Sequence, residues 1–284
     1  MIFAASNIAW PPRDVDAACR ILADAGFTGL EIAPGLLFDG AGDPVRPTDI
    51  ELEQGLAPVR AAGLHIVSMQ SLLFGVAGAS LFGEPHERET LIEAMRSVIA
   101  LAGRLSAGSL VFGSPRQRIR PEGMSPAQAD AIALDVFRRL ADDAAAVGSR
   151  IAMEFNPPDY GGNFICTARE AIAFAEAANH PGLGICLDIG ALHMTGEFAE
   201  IDALVASHCA LIAHVHISEP HLAPAPAREA DVRAVIRALQ RHGYQRAVSI
   251  EMRAGTGPDG PEALMTLRRS VDLVASAARS EQAR

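Results

Sequence analysis

Short apolar runs alternate with amphipathic segments along the whole chain, and this alternation limits the possible folds more than any other feature. Apolar runs of this length, bounded by turn signals, read as strands buried on both faces. Apolar residues three and four apart read as helices that lay one face on those strands. Strands are expected at Phe3-Ala4-Ala5, 29–32, 64–69, 109–112, 150–154, 184–188, 211–217 and 247–251. Helices are expected over 14–25, 49–62, 89–102, 126–146, 168–178, 228–241 and 261–277, with a short one near 201–206. Gly26 and Gly63 stop the first two, and Ser125 before Pro126 is a cap followed by the one helical position that tolerates proline.

Buried strands joined by helices make a parallel sheet. Eight such units in 284 residues fit a closed α/β barrel, (β/α)8, as a single domain over 1–284 with a frayed tail from about 280. The alternative is an open doubly wound sheet. No Gly-x-Gly-x-x-Gly follows the first strand, which weighs against its dinucleotide-binding form.

Several function classes fall away. No run of about 18 apolar residues is present, so no membrane span is expected. Met1 to Ala5 lacks the basic start of a signal peptide and reads as a strand. Four scattered cysteines without a Cys-x-x-Cys pair suit buried thiols in a cytoplasmic protein. A net charge of −10 opposes nucleic-acid binding. There is no lysine, which removes Schiff-base, P-loop and lysine-base chemistry. Carbonyl chemistry here needs another electrophile.

Functional groups of such a barrel sit where strands end. The last four strands end in Glu154, Asp188, His216 and Glu251, spaced 34, 28 and 35 residues apart. Each alone reads equally well as a helix cap, a surface ion-pair partner or a satisfied core histidine. Four in phase converge at one rim, where three carboxylates repel unless a cation lies between them. Three carboxylates and an imidazole suit a divalent metal that takes mostly oxygen ligands: Mn²⁺, Mg²⁺ or Co²⁺ ahead of Zn²⁺. His214 faces the same way one residue pair deeper and reads as a packing or supporting residue. His65 begins its strand and reads as structural. Substrate-contact candidates are His193, Glu219, Asn156, Gln70, Arg116, Arg253 and Trp10, with Arg118, Tyr160 and Phe74 of lesser weight.

Glu154-Phe155-Asn156, Leu187-Asp188, His214-Val215-His216 with Glu219 three later, and Ile250-Glu251 resemble the xylose isomerase-like TIM barrel superfamily of sugar isomerases and epimerases. In its ketose 3-epimerase branch, the resemblance implies that Glu154, Asp188, His216 and Glu251 hold the metal and that the two glutamates transfer protons. Two positions depart. That branch has a substrate-binding histidine where Ala191 stands, with His193 two residues later, and an arginine where Leu222 stands. Barrels of this kind often self-associate, so a homo-oligomer is an expectation by analogy.

The residue types imply a metal-dependent sugar or sugar phosphate isomerase or epimerase that moves a proton next to a carbonyl through a metal-stabilised enediolate. The alternatives are an inosose-type dehydratase, a non-catalytic metal- and sugar-binding barrel, and an abasic-site endonuclease. The endonuclease needs histidines at the exits of strands three and four, where Gln70-Ser71 and Gly113-Ser114 stand.

Overall fold

The eight apolar runs form eight parallel strands that pair in sequence order and close on themselves, the eighth returning to the first. The computed structural model describes residues 1–253 and 260–282. In chain order the elements begin β1 (Ile2–Ser6), α1 (Val15–Asp24), β2 (Gly29–Ile32), a single-turn α2 (Pro34–Leu37) and α3 (Asp49–Ala61). There follow β3 (His65–Met69), α4 (Pro85–Leu105), β4 (Ser109–Phe112), α5 (Pro126–Ala146), β5 (Arg150–Glu154) and α6 (Ala168–Ala178). The last are β6 (Leu183–Asp188), α7 (Ile189–Thr195), α8 (Ile201–His208), β7 (Ile212–Ile217), α9 (Glu229–Arg241), β8 (Ala247–Ile250) and α10 (Gly260–Gln282). No helix among the described residues is long and apolar enough to cross a membrane.

Strand periodicity splits the core in two. Leu110 and Phe112, Ile151 and Met153, Ile185 and Leu187, Val215 and Ile217, and Val248 and Ile250 all join the large apolar layer beneath the helices. Burying each such side chain is worth roughly 1.5–3 kcal/mol. The alternate residues face the barrel axis and are small. Val111, Ala152, Cys186 and Ala213 form one cluster, and Ala4, Val67 and Ala247 form another. Above them lies a layer of buried polar groups that includes Ser6, Glu31, Ser68, Gln70, His214, His216 and Ser249.

The register shifts twice, between Leu30 and Glu31 on β2 and between Ile185 and Cys186 on β6. Such irregularities re-aim side chains. The second sets Asp188 level with His216 across the β6–β7 pair.

Helix starts follow local chemistry. Thr48 with Glu51, Ser125 with Gln128 and Thr167 with Glu170 are reciprocal capping boxes. Three expectations change. Helix α4 is longer at both ends than 89–102. The segment after β6, expected as a loop, is α7, because the Asp188 side chain accepts the Ala191 N–H and starts a helix at once. The tail expected to fray from about 280 continues α10 to Gln282, since buried Glu281 accepts hydrogen bonds from Arg233 and Arg237 of α9. Residues 283–284 lie outside the described residues.

Small inner residues are what let the strands close. A Cβ at Gly29 would lie 2.9 Å from a Val67 methyl and 3.0 Å from the Ala4 Cβ. Gly29→Val should lower unfolding free energy by about 1–3 kcal/mol through overpacking, read from the urea midpoint.

Candidate metal centre

Glu154 ends β5, Asp188 ends β6, His216 stands one residue before the end of β7, and Glu251 directly follows β8. One donor atom from each lies within 4.8 Å of all the others, so the four strand ends do converge. His216 Nδ1 is the hub, 3.1 Å from Glu154 Oε1, 3.3 Å from Glu251 Oε2 and 3.6 Å from Asp188 Oδ2.

Each carboxylate is aimed by its neighbours. Asp188 Oδ1 accepts the Ala191 N–H at 2.5 Å, and Oδ2 accepts the Ser218 hydroxyl at 2.7 Å. The same hydroxyl accepts the Gly190 N–H. A Cβ at Gly190 would lie 2.6 Å from the Glu219 backbone, so α7 packs there only with glycine. Glu154 Oε2 accepts from the Asn156 amide at 3.1 Å and occupies the space a Cβ at Gly113 would fill, 2.5 Å away. Glu251 is placed by its N–H, which donates to the Ile217 carbonyl.

Arg118 supports this from behind. It is fully buried, and its Nη2 donates to the Glu154 carbonyl at 2.7 Å and to Asn156 Oδ1 at 2.6 Å. Burial lowers its pKa to about 10, which leaves it charged at neutral pH. Asn156 thus passes a hydrogen bond from Arg118 on to Glu154.

Beneath the quartet lies a carboxylate that the sequence reading passed over. Glu31 on β2 is 0 % exposed, as are His214 and His216. Its Oε1 is 3.0 Å from His216 Nε2, and its Oε2 is 2.5 Å from His214 Nε2. Ser68 and Gln70 donate to it as well. A glutamate inside a four-residue apolar strand, at the inward phase, was the available signal.

Burial alone would raise the pKa of Glu31, but His216 and His214 outweigh it and hold the carboxyl well below its usual range. Burial opposes charge on His216, yet the surrounding negative groups, Glu251 and Glu31 among them, keep its pKa well above normal. Glu251 is pushed up to about 7 by burial and by Glu154 and Asp188, with His216 pulling the other way. The buried Cys186 thiol is pushed far up by burial, so it stays neutral there.

The donor set fits a divalent ion. Three carboxylates and one imidazole leave this buried group of atoms strongly negative, with oxygen predominating. A proton on His216 and another on Glu251 relieve only part of that charge.

The other candidates distribute as follows. Asn156 contacts the quartet directly, whereas Gln70 reaches it only through Glu31 and also donates to Ser6 Oγ. His193 is not brought to the quartet. It lies 3.2 Å from Asp231 of α9 and stacks on Phe198 with ring centres 4.1 Å apart. Glu219 accepts the Ala227 N–H and organises its own loop. Trp10 is 2 % exposed within the core, which leaves it little surface to offer a sugar. Arg116 and Arg253 are exposed, and Phe74 is 89 % exposed. His65 is exposed at the opposite end of the barrel. Tyr160 accepts the His221 N–H at 2.9 Å and meets its ring edge to face, tying the β5–α6 and β7–α9 connections together.

The sequence profile of the xylose isomerase-like TIM barrel family matches residues 19–272, and the chain belongs to that family. A ketose 3-epimerase from Arthrobacter globiformis is 28 % identical over 166 residues, which is 57 % of this chain. That alignment spans about half of the relative's own length, 54 %. Among solved structures, an L-ribulose 3-epimerase superposes with a TM-score of 0.76 at 16 % identity, over 100 % of this chain and 96 % of its own. The IOLI protein with a bound zinc atom gives 0.71 at 16 % identity, over 97 % and 99 %. At these identities the two structures speak to the fold.

Replacing Arg118 removes its hydrogen bonds to the Glu154 carbonyl and to the buried Asn156 Oδ1. Arg118→Met should therefore destabilise the protein by about 1–3 kcal/mol in chemical denaturation.

Proposed function

We propose that this chain is a divalent-metal-dependent epimerase or isomerase of a sugar or sugar phosphate, moving a proton on the carbon beside a carbonyl. The observation that carries this reading is the quartet: three carboxylate oxygens and one imidazole nitrogen within 4.8 Å of one another at the rim of the barrel. The ketose 3-epimerase match and the epimerase among the structural neighbours support a sugar and favour epimerisation.

Glu154, Asp188, His216 and Glu251 would hold the ion. The oxygen-rich donors favour Mn²⁺, with Mg²⁺, Co²⁺ and Zn²⁺ as alternatives. When bound, the ion polarises adjacent carbonyl and hydroxyl oxygens of the sugar and lowers the cost of the negative charge that gathers there as the proton leaves. This supplies the electrophile that a chain without lysine needs.

Glu154 and Glu251 form the proton-transferring pair. One carboxylate takes the carbon-bound proton and the other returns a proton. Return to the opposite face of the same carbon inverts it; return to the neighbouring carbon exchanges aldose and ketose. Asn156 and Arg118 hold Glu154 at its working angle. Asp188 does no proton transfer, because its two oxygens are already committed to the start of α7 and to Ser218. Asn156, Arg116 and Arg253 remain substrate-contact candidates of this proposal. His193, Glu219 and Gln70 could act only after leaving the partners described above.

The test is elemental analysis of the purified protein, followed by assay on a panel of ketoses, aldoses and their phosphates. One divalent ion per chain is expected, with activity lost on chelation and restored by Mn²⁺. Glu154→Gln and Glu251→Gln should each cut turnover by about 10²–10⁴. Absence of bound metal together with indifference to chelator and Mn²⁺ would overturn the reading.

The pH dependence has a definite sign. Without metal, Glu251 has a folded pKa of about 7 against an ordinary 4.5. Its contribution to stability is therefore complete below 4.5 and is lost as pH rises through about 7. A metal needs that carboxylate deprotonated, so the rise in melting temperature given by Mn²⁺ should grow between about pH 6 and 8. Melting curves with chelator and with Mn²⁺ across that range check this. A metal increment that shrinks with rising pH would count against Glu251 as a ligand.

A further inference from the structure

We infer that Glu31 is a positioning residue: it keeps a proton on Nε2 of His216, and so makes Nδ1 the nitrogen presented to Glu154, Asp188 and Glu251. The consequence for metal binding rests on the metal reading above; the location of the proton does not.

Donors surround both oxygens of Glu31. An ionised carboxylate accepts at about four lone-pair positions and donates at none. Oε1 faces His216 Nε2 at 3.0 Å and Gln70 Nε2 at 2.8 Å. Oε2 faces the Ser68 hydroxyl at 2.6 Å and His214 Nε2 at 2.5 Å. His216, Gln70 and Ser68 can donate, His214 Nε2 lies against Oε2 without a hydrogen bond, and Glu31 is fully buried. A bare nitrogen lone pair 3.0 Å from Oε1 would repel it in a low-dielectric interior. The stable arrangement puts the proton on Nε2. When the ring is neutral, its lone pair then lies on Nδ1, the nitrogen 3.1–3.6 Å from the three rim carboxylates.

The same crowding around Glu31 counts against a second ion there. Glu31, His214 and His216 lie close enough together to ligate an ion of their own. Three acceptor positions of Glu31 already take hydrogen bonds and His214 Nε2 crowds the fourth, so the trio orients His216 and holds no second ion. Glu31 reaches His216 from β2, across the barrel from β7, and links the unreactive half of the barrel to the half that carries the quartet. A carboxylate behind a metal-bound imidazole raises its basicity and fixes its tautomer, and losing one typically costs 10–100-fold in affinity.

The test is ¹⁵N–¹H spectroscopy of the histidine rings, with zinc as a diamagnetic probe, on the full chain and on Glu31→Gln. In the wild-type protein the His216 Nε2 proton should be present and slow to exchange, both metal-free and zinc-loaded, with zinc displacing the proton on Nδ1 only. Glu31→Gln should lose that slow exchange and bind zinc about 10–100-fold more weakly by titration. Bound zinc should stay at one equivalent per chain. The inference is overturned if zinc removes the Nε2 proton, if two equivalents bind with one on Nε2, or if Glu31→Gln leaves both the ring signals and the affinity unchanged. If the wild-type chain binds no zinc, the metal reading fails, and the comparison of metal-free Nε2 proton exchange between the wild type and Glu31→Gln still decides the role of Glu31. If Glu31→Gln does not fold, Glu31→Asp takes its place in the same measurements, with the same outcomes deciding.

Discussion

The site depends on one buried imidazole placed between two sets of negative charge. His216 turns Nε2 to Glu31 and Nδ1 to Glu154, Asp188 and Glu251. Two like charges about 4 Å apart cost roughly 4 kcal/mol at the effective dielectric of a protein rim. Three rim carboxylates present three such pairs, and one imidazolium cannot offset them all. Strand ends are the elements rigid enough to hold groups together against that repulsion, since loops would relax and let them part. Hence the quartet lies on β5 to β8 and not in the connections.

Bringing four strand ends this close requires room, and the room comes from what is missing. The inner faces carry Ala4, Gly29, Ala152 and Ala213 where larger residues would push the strands apart. Gly113 leaves space for the Glu154 carboxylate, and Gly190 lets α7 settle against the Glu219 backbone. Asp188 shows how tightly fold and site are joined. One of its oxygens starts a helix and the other faces His216 at the rim, so replacing it would disturb α7 as well as the quartet.

The barrel was legible because its signals are local and repeated. Apolar runs and stop signals place the eight strands within a residue or two, and the in-phase endings at Glu154, Asp188, His216 and Glu251 mark the rim. What escaped depended on contacts distant in sequence. Glu31 is 185 residues from His216, and nothing near it in the chain announces the pairing. Arg118 follows a strand end like any solvated arginine, and only the folded chain shows it buried behind Asn156. His193 has the right residue type near the right strand, but α7 delivers it to Asp231. Part of the tail is likewise held by distant contacts: Glu281 is polar and near the terminus, and its arginine partners lie more than 40 residues away.

This division between strand and loop also accounts for where the resemblance stops. The residues matching the ketose 3-epimerase pattern are all fixed by β5 to β8, whereas the two departures, Ala191 and Leu222, lie in the connections after β6 and β7. Leu222 and its neighbour His221 both adopt positive φ, at 57° and 61°, a conformation costly for residues with side chains. The turn is held there by Tyr160, whose hydroxyl takes the His221 N–H, and by the Arg253 N–H, which donates to the Leu222 carbonyl. Where the family branch places a charged guanidinium, this chain has an aliphatic side chain beside an aromatic pair. On the proposed reading, the proton chemistry belongs to the strands and the choice of substrate to these connections. A barrel that keeps the first and changes the second should handle the same kind of carbon–hydrogen bond in a differently substituted substrate.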